Sequence, residues 1–191
     1  MTGPVAPSAA SPLLSRDRSA LLLVDVQQGL LPAIDSAPDV LAQCVWLARL
    51  AAALDVPTVI TEHMAAKIGA TEPELRAATP GARVVAKSAF SAVRDGVLEA
   101  TVLRERPQIV LAGIEAHVCV LQTALELQAR GWALFAVSAA CGSRRTEDRD
   151  LALARMRAHG VQVVSREMVA FEWLARGDDP QFGAILRRFI R

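Results

Sequence analysis

The 191-residue chain has no excess of charge of either sign: 21 lysines and arginines stand against 20 aspartates and glutamates, a formal net charge of +1. A chain so balanced carries no field that would draw in nucleic acid or an anionic membrane. It has only three cysteines, Cys44, Cys119 and Cys141. None forms a CxxC pair and they lie far apart, which excludes a short cysteine cluster for a metal and points to reduced thiols in a cytoplasmic setting. The Pro-, Ala- and Ser-rich N-terminus has neither a basic segment nor an apolar run long enough for a signal peptide or a membrane span. Residues 1–18 therefore read as a disordered lead-in. Beyond residue 18 there is no repeat, low-complexity tract or linker, so one domain over 19–191 is expected. A chain of this length buries about 70% of its unfolded surface.

Apolar residues are plentiful, at 52% of the sequence, as suits central parallel strands or a buried interface between copies of the chain. From Ser19 onward short apolar runs alternate with helix-period segments, the pattern of helices crossing between parallel strands. The expected fold is α/β: a three-layer α/β/α, Rossmann-like arrangement around a six-stranded, mainly parallel sheet. The strands are expected at 20–24, 58–61, 83–86, 108–112, 133–137 and 161–164. Helices are expected at 38–54, 97–106, 116–130, 147–159, 166–175 and 180–190, with a long connection over 62–81 that holds one turn at 73–77.

Parallel sheets bind ligands at the carboxyl ends of their strands, where the strand order reverses. In the common six-strand order, strands one and four are neighbours at that point. Asp25 ends strand one, Cys119 begins the helix after strand four, and Lys87 ends strand three. The three residues converge on one rim. A helix N-terminus and an adjacent cation both favour a thiolate, and Cys119 is expected to have both. Asp25 is placed to take the thiol proton and return it to a leaving group, while Lys87 holds the pair in register. Backbone N–H groups of the turn 113–119 would bind an oxyanion. Acyl transfer from an amide-like substrate is the reaction class this implies.

The segments Leu22-Leu23-Val24-Asp25-Val26-Gln27, Lys87-Ser88-Ala89-Phe90-Ser91 and Gly113-Ile114-Glu115-Ala116-His117-Val118-Cys119-Val120-Leu121-Gln122-Thr123 resemble the three signature segments of isochorismatase-like cysteine hydrolases. The stretch from Ser143 to Met156, with Pro180-Gln181-Phe182, is most similar to the isochorismatase-domain-containing subgroup. The resemblance implies Asp25, Lys87 and Cys119 as the triad and a cis peptide between Ile114 and Glu115. It further implies oxyanion donors at the amides of Glu115 and Cys119, and oligomerisation of the chain. Gln27, Glu62, His63, Phe90 and Ile114 are the expected substrate-binding residues. Nicotinamidases of the family carry an aspartate and several histidines after strand two to hold a metal. Here that place reads Thr61-Glu62-His63-Met64-Ala65-Ala66-Lys67, so no metal and no other cofactor is expected.

The expected activity is hydrolysis of a small amide or ureido C–N bond through an acyl-enzyme on Cys119. Its alternative is a non-catalytic scaffold or small-molecule-binding protein of the same fold. A nucleotide-binding Rossmann protein is set aside, because Asp25-Val26-Gln27-Gln28-Gly29 contains no GxGxxG. Cys44 and Cys141 read as buried thiols, His117 as pointing away from Cys119, and Trp46, Trp132 and Trp173 as packing residues. Arg144-Arg145 reads as a solvated turn, a subunit contact or an anion anchor.

Overall fold

Six strands form, β1 (Ser19–Val24), β2 (Thr58–His63), β3 (Arg83–Lys87), β4 (Gln108–Ile114), β5 (Ala133–Gly142) and β6 (Gln162–Val164), of which the central β1 and β4 are apolar runs buried on both faces and β3 and β6 are partly exposed edges. They make one sheet in the order β3-β2-β1-β4-β5-β6, with every pairing parallel. The molecule is known from a computed structural model that describes residues 12–191.

Because side chains alternate along a strand, the sheet separates two cores. Leu21 and Leu23 of β1 face a cluster with Val45, Leu47, Val169 and Trp173. Those residues come from α1 (Ala37–Ala53) and α6 (Arg166–Leu174). Ala20, Leu22 and Val24 face Val120, Ala124, Ala152 and Met156 on the other side, supplied largely by α4 (Leu121–Ala129) and α5 (Thr146–Ala158). Three layers result. Two short helices, α2 (Ala65–Ile68) and α3 (Pro73–Ala78), lie in the connection after β2. A last one, α7 (Phe182–Ile185), opens into a wider turn, Leu186–Ile190.

Two expectations need correction. No α-helix spans 97–106; the chain makes successive tight turns and a 3-10 turn at Val102–Glu105. Val93, Leu98 and Leu103 are all buried there, and a spacing of five cannot sit on one face of an α-helix. Burial of those three side chains therefore overrides the helical propensity. At the N-terminus, the part of the lead-in that falls at 12–18 is packed: Leu14 is buried in the core and its N–H donates to Glu172 Oε2 at 2.7 Å. The remainder, residues 1–11, lies outside the described residues.

Candidate active site

The strand order reverses between β1 and β4, which pair from Ser19↔Gln108 to Val24↔Gly113. Gly113 is essential to the closeness of this pair. A Cβ on it would sit 2.1 Å from the Val24 carbonyl oxygen, and its φ is +136°. Immediately beyond, Asp25 takes φ +53°, a left-handed conformation that costs a non-glycine residue roughly 1–2 kcal/mol and that aspartate tolerates better than most. The Gln27 N–H closes the turn on the Asp25 carbonyl at 2.8 Å. The carboxylate is thereby left at the sheet's carboxyl edge, fully buried.

Lys87 is the last residue of β3, two strands away across β2. At the usual strand spacing that is roughly 10 Å between backbones, a gap that the long lysine stem spans. Nζ lies 2.6 Å from Asp25 Oδ2, with both side chains fully withdrawn from solvent. The ammonium also donates to the carbonyls of Ala89 at 3.1 Å and Phe90 at 2.9 Å. Thr61 Oγ donates to Asp25 Oδ1 at 2.6 Å, and the Asp25 N–H donates to the Thr61 carbonyl at 3.1 Å. Oδ2 faces the Lys87 ammonium in a charge-assisted contact. That contact leaves an accepting position on the oxygen.

Cys119 sits in a wide π-type turn, Ala116–Val120, in which the Val120 N–H reaches back to the Glu115 carbonyl. Such turns recur at functional sites. Cys119 is 5% exposed, and the charges of both Asp25 and Lys87 act on its thiol. Its acidity runs opposite to the expectation of a stabilised thiolate. Burial first, and then the Asp25 charge, push the thiol up to about 12, against the pull of Lys87. The site thus sets a buried thiol beside the Asp25–Lys87 ion pair.

The structure brings Asp25, Lys87 and Cys119 together and assigns other duties to several expected pocket residues. Gln27 is buried, with Nε2 donating to the carbonyls of His63 and Gly69 and Oε1 accepting from the His63 N–H. It braces the end of β2. Glu62 is likewise committed, accepting from the Thr71 N–H and hydroxyl. The His63 and Phe90 rings lie 5.4 Å apart beside the triad, and Phe90 is 52% exposed. Burial, and next the Lys87 charge, hold the His63 imidazole below its ordinary pKa. Ile114 is buried at the end of β4, and the Ile114–Glu115 peptide is cis. His117 bonds to the Ser143 hydroxyl at 3.0 Å. Glu115 holds Arg144 through its Nε at 2.9 Å and its backbone N–H at 3.2 Å. Thr61 escaped the sequence reading; its one signal was a hydroxyl at the carboxyl end of the strand beside β1. No group of three His, Cys, Asp or Glu suited to a metal exists among the described residues.

A family model described as the isochorismatase domain matches residues 19–168. The chain belongs to the isochorismatase family. Isochorismatase domain-containing protein 2A of mouse is 36% identical over 169 residues, covering 88% of this chain and 81% of its own. Among solved structures, YcaC from Pseudomonas aeruginosa, with hexane-2,5-diol and covalent acrylamide, superposes with a TM-score of 0.86 at 29% identity, over 96% of this chain and 94% of that one. YcaC of Escherichia coli, described as an octameric hydrolase of unknown specificity, gives 0.86 at 26% identity, over 96% and 93%. The MAR1 ribonuclease of Caenorhabditis elegans gives 0.86 at 28%, over 92% and 91%. The isochorismatase-family chain thus has a hydrolase fold, with Asp25, Lys87 and Cys119 gathered at the carboxyl edge of its sheet.

Proposed function

We propose that the protein is a cysteine-dependent hydrolase that cleaves the C–N bond of a small amide or ureido compound through an acyl-enzyme on Cys119. The observation that carries this reading is a buried cysteine set beside a fully buried carboxylate–ammonium pair, Asp25 Oδ2 and Lys87 Nζ at 2.6 Å. The thiol proton passes to Asp25 as sulfur bonds to the carbonyl carbon, so the thiolate exists only while it attacks. Lys87 keeps the developing negative charge compensated. The amides of Glu115 and Cys119 are the donors we assign to the oxyanion. Collapse breaks the C–N bond, Asp25 returns its proton to the departing nitrogen, and a thioester remains. Water then attacks the thioester with Asp25 as base, releasing the acid and the thiol.

His63 and Phe90 form the part of the site mouth that we assign to substrate binding, and a mouth of two rings suits a flat, uncharged group. The covalent acrylamide on the Pseudomonas neighbour supports a nucleophile on this fold, since acrylamide is an electrophile toward thiolates. The octameric state of the Escherichia neighbour supports a homo-oligomer here. Three free, buried cysteines fit a reducing, cytoplasmic setting.

The ribonuclease neighbour raises RNA as a second substrate class. A nucleophile that is only 5% exposed and a net charge of +1 favour a small substrate over a polyanion. Ammonia release from a panel of primary amides and ureido acids, run beside cleavage of single-stranded RNA, separates the two. The proposal expects amide turnover that disappears in Cys119→Ser, with an acyl increment on the Cys119 peptide. RNA cleavage that survives Cys119→Ser, with no amide turned over, would sink it.

A further inference from the structure

Lys87 depends on the loop that follows it, because the carbonyls of Ala89 and Phe90 accept two of its hydrogen bonds. That loop is held from two directions. At its far end the Ala92 N–H donates to Thr123 Oγ at 3.1 Å and Ser91 Oγ to Glu126 at 2.8 Å, both on α4. At its near end the holder is Asp95. The chain reverses at Asp95-Gly96, where Gly96 takes φ +67° and its N–H donates to the Val93 carbonyl at 3.1 Å. The reversal returns the Asp95 carboxylate to the loop. Its Oδ2 accepts from the Ser88 N–H at 2.6 Å, the Ala89 N–H at 2.9 Å and the Ser88 hydroxyl at 3.2 Å. Ala89 is thus gripped on both sides, its N–H by Asp95 and its carbonyl by the Lys87 ammonium.

We propose that Asp95 is a positioning residue for the site: it fixes the segment Ser88 to Phe90 so that the Ala89 and Phe90 carbonyls hold the Lys87 ammonium against Asp25 and Cys119. This rests on the place of Lys87 in the triad proposed above. Among the described residues no hydrogen bond or ion pair joins Asp95 to Cys119, and it acts through Lys87. Its side chain is exposed, so truncating it opens no cavity in the core. All three donors meet one oxygen, so an amide oxygen in the same place satisfies them, whereas a methyl group satisfies none.

The chain contains only two lysines, Lys67 and Lys87, which makes the test direct. Wild type, Asp95→Ala and Asp95→Asn are pulse-labelled with acetic anhydride, and both lysines are read by peptide mass spectrometry. Wild type and Asp95→Asn should keep Lys87 protected. Asp95→Ala should label it roughly tenfold faster or more, the scale set by losing charge-assisted hydrogen bonds to two amides, with Lys67 unchanged. A second reading uses iodoacetamide on Cys119. Loosening of the loop alone would expose the thiol and speed its alkylation, but withdrawal of Lys87 removes the charge that favours the thiolate and slows it. Cys44 and Cys141, both fully buried, report unfolding; if Asp95→Ala unfolds, Asp95→Ser takes its place. Unchanged Lys87 protection in the truncated variant overturns the proposal. Equal loss of protection in Asp95→Asn also overturns it, in favour of a simple charge effect. Neither labelling needs a substrate, so a failure of the hydrolase reading is seen separately.

Discussion

Lys87 Nζ and Asp25 Oδ2 meet at 2.6 Å with no solvent on either side chain. Two charges taken wholly out of water hold the fold only as a pair. Removing one leaves the other uncompensated, which typically costs about 3–5 kcal/mol. Lys87→Met should lower the unfolding free energy by that amount, read as a lower urea midpoint at an unchanged m-value. Adding Asp25→Asn to Lys87→Met should recover a large part of the loss. A single variant as stable as wild type would show that the pair is not coupled as described.

Thr61 holds Asp25 Oδ1 at 2.6 Å from within the core. In Thr61→Val the buried carboxylate keeps its charge and loses its donor, a deficit of about 1–3 kcal/mol. Amide turnover should fall along with stability. Thr61→Ser, which keeps the hydroxyl, should restore both, and thermal melts beside the ammonia assay would check it.

Alkaline pH should destabilise the protein. Burial pushes Cys119 and Cys141 up to about 12 from an ordinary 9.0, and raises Cys44 as well. Between those values the unfolded chain gives up its thiol protons and the folded chain keeps them. The folded state then binds more protons, so stability falls as pH rises. Denaturation midpoints should be steady on this account up to about pH 9 and drop beyond it, and Cys141→Ala should flatten the drop.

Much of the site was legible because it follows from topology. Continuous apolar runs such as 20–24 mark buried parallel strands, and a six-strand order that reverses between β1 and β4 places Asp25 beside the turn of Cys119. Lys87 followed from being the last residue of β3. The polar braces were less legible. Gln27 lies next to the triad in sequence and looked like a pocket residue, but its amide serves the backbone at 63 and 69, partners set by how the loop after β2 folds. The pull of burial on the Cys119 thiol is hidden from the sequence for a related reason. Helix end and cation were visible in the sequence order, whereas burial and the nearness of the Asp25 charge depend on packing. Gly113 falls just past the strand expected at 108–112 and is the next-to-last residue of β4. Its close approach to Val24 predicts that Gly113→Ala costs more than the ~1 kcal/mol of an ordinary substitution, with urea denaturation as the check.

The pH dependence of iodoacetamide labelling at each cysteine, in wild type, Asp25→Asn and Lys87→Met, tests the triad most directly. Asp25 raises the thiol and Lys87 lowers it. Cys119 should therefore label far faster than Cys44 or Cys141, with a rate still climbing beyond pH 9, faster in Asp25→Asn and slower in Lys87→Met. If Cys119 labels no faster than the other two, or if the two variants leave its rate unmoved, the three side chains do not act as one unit and the account of the site is wrong.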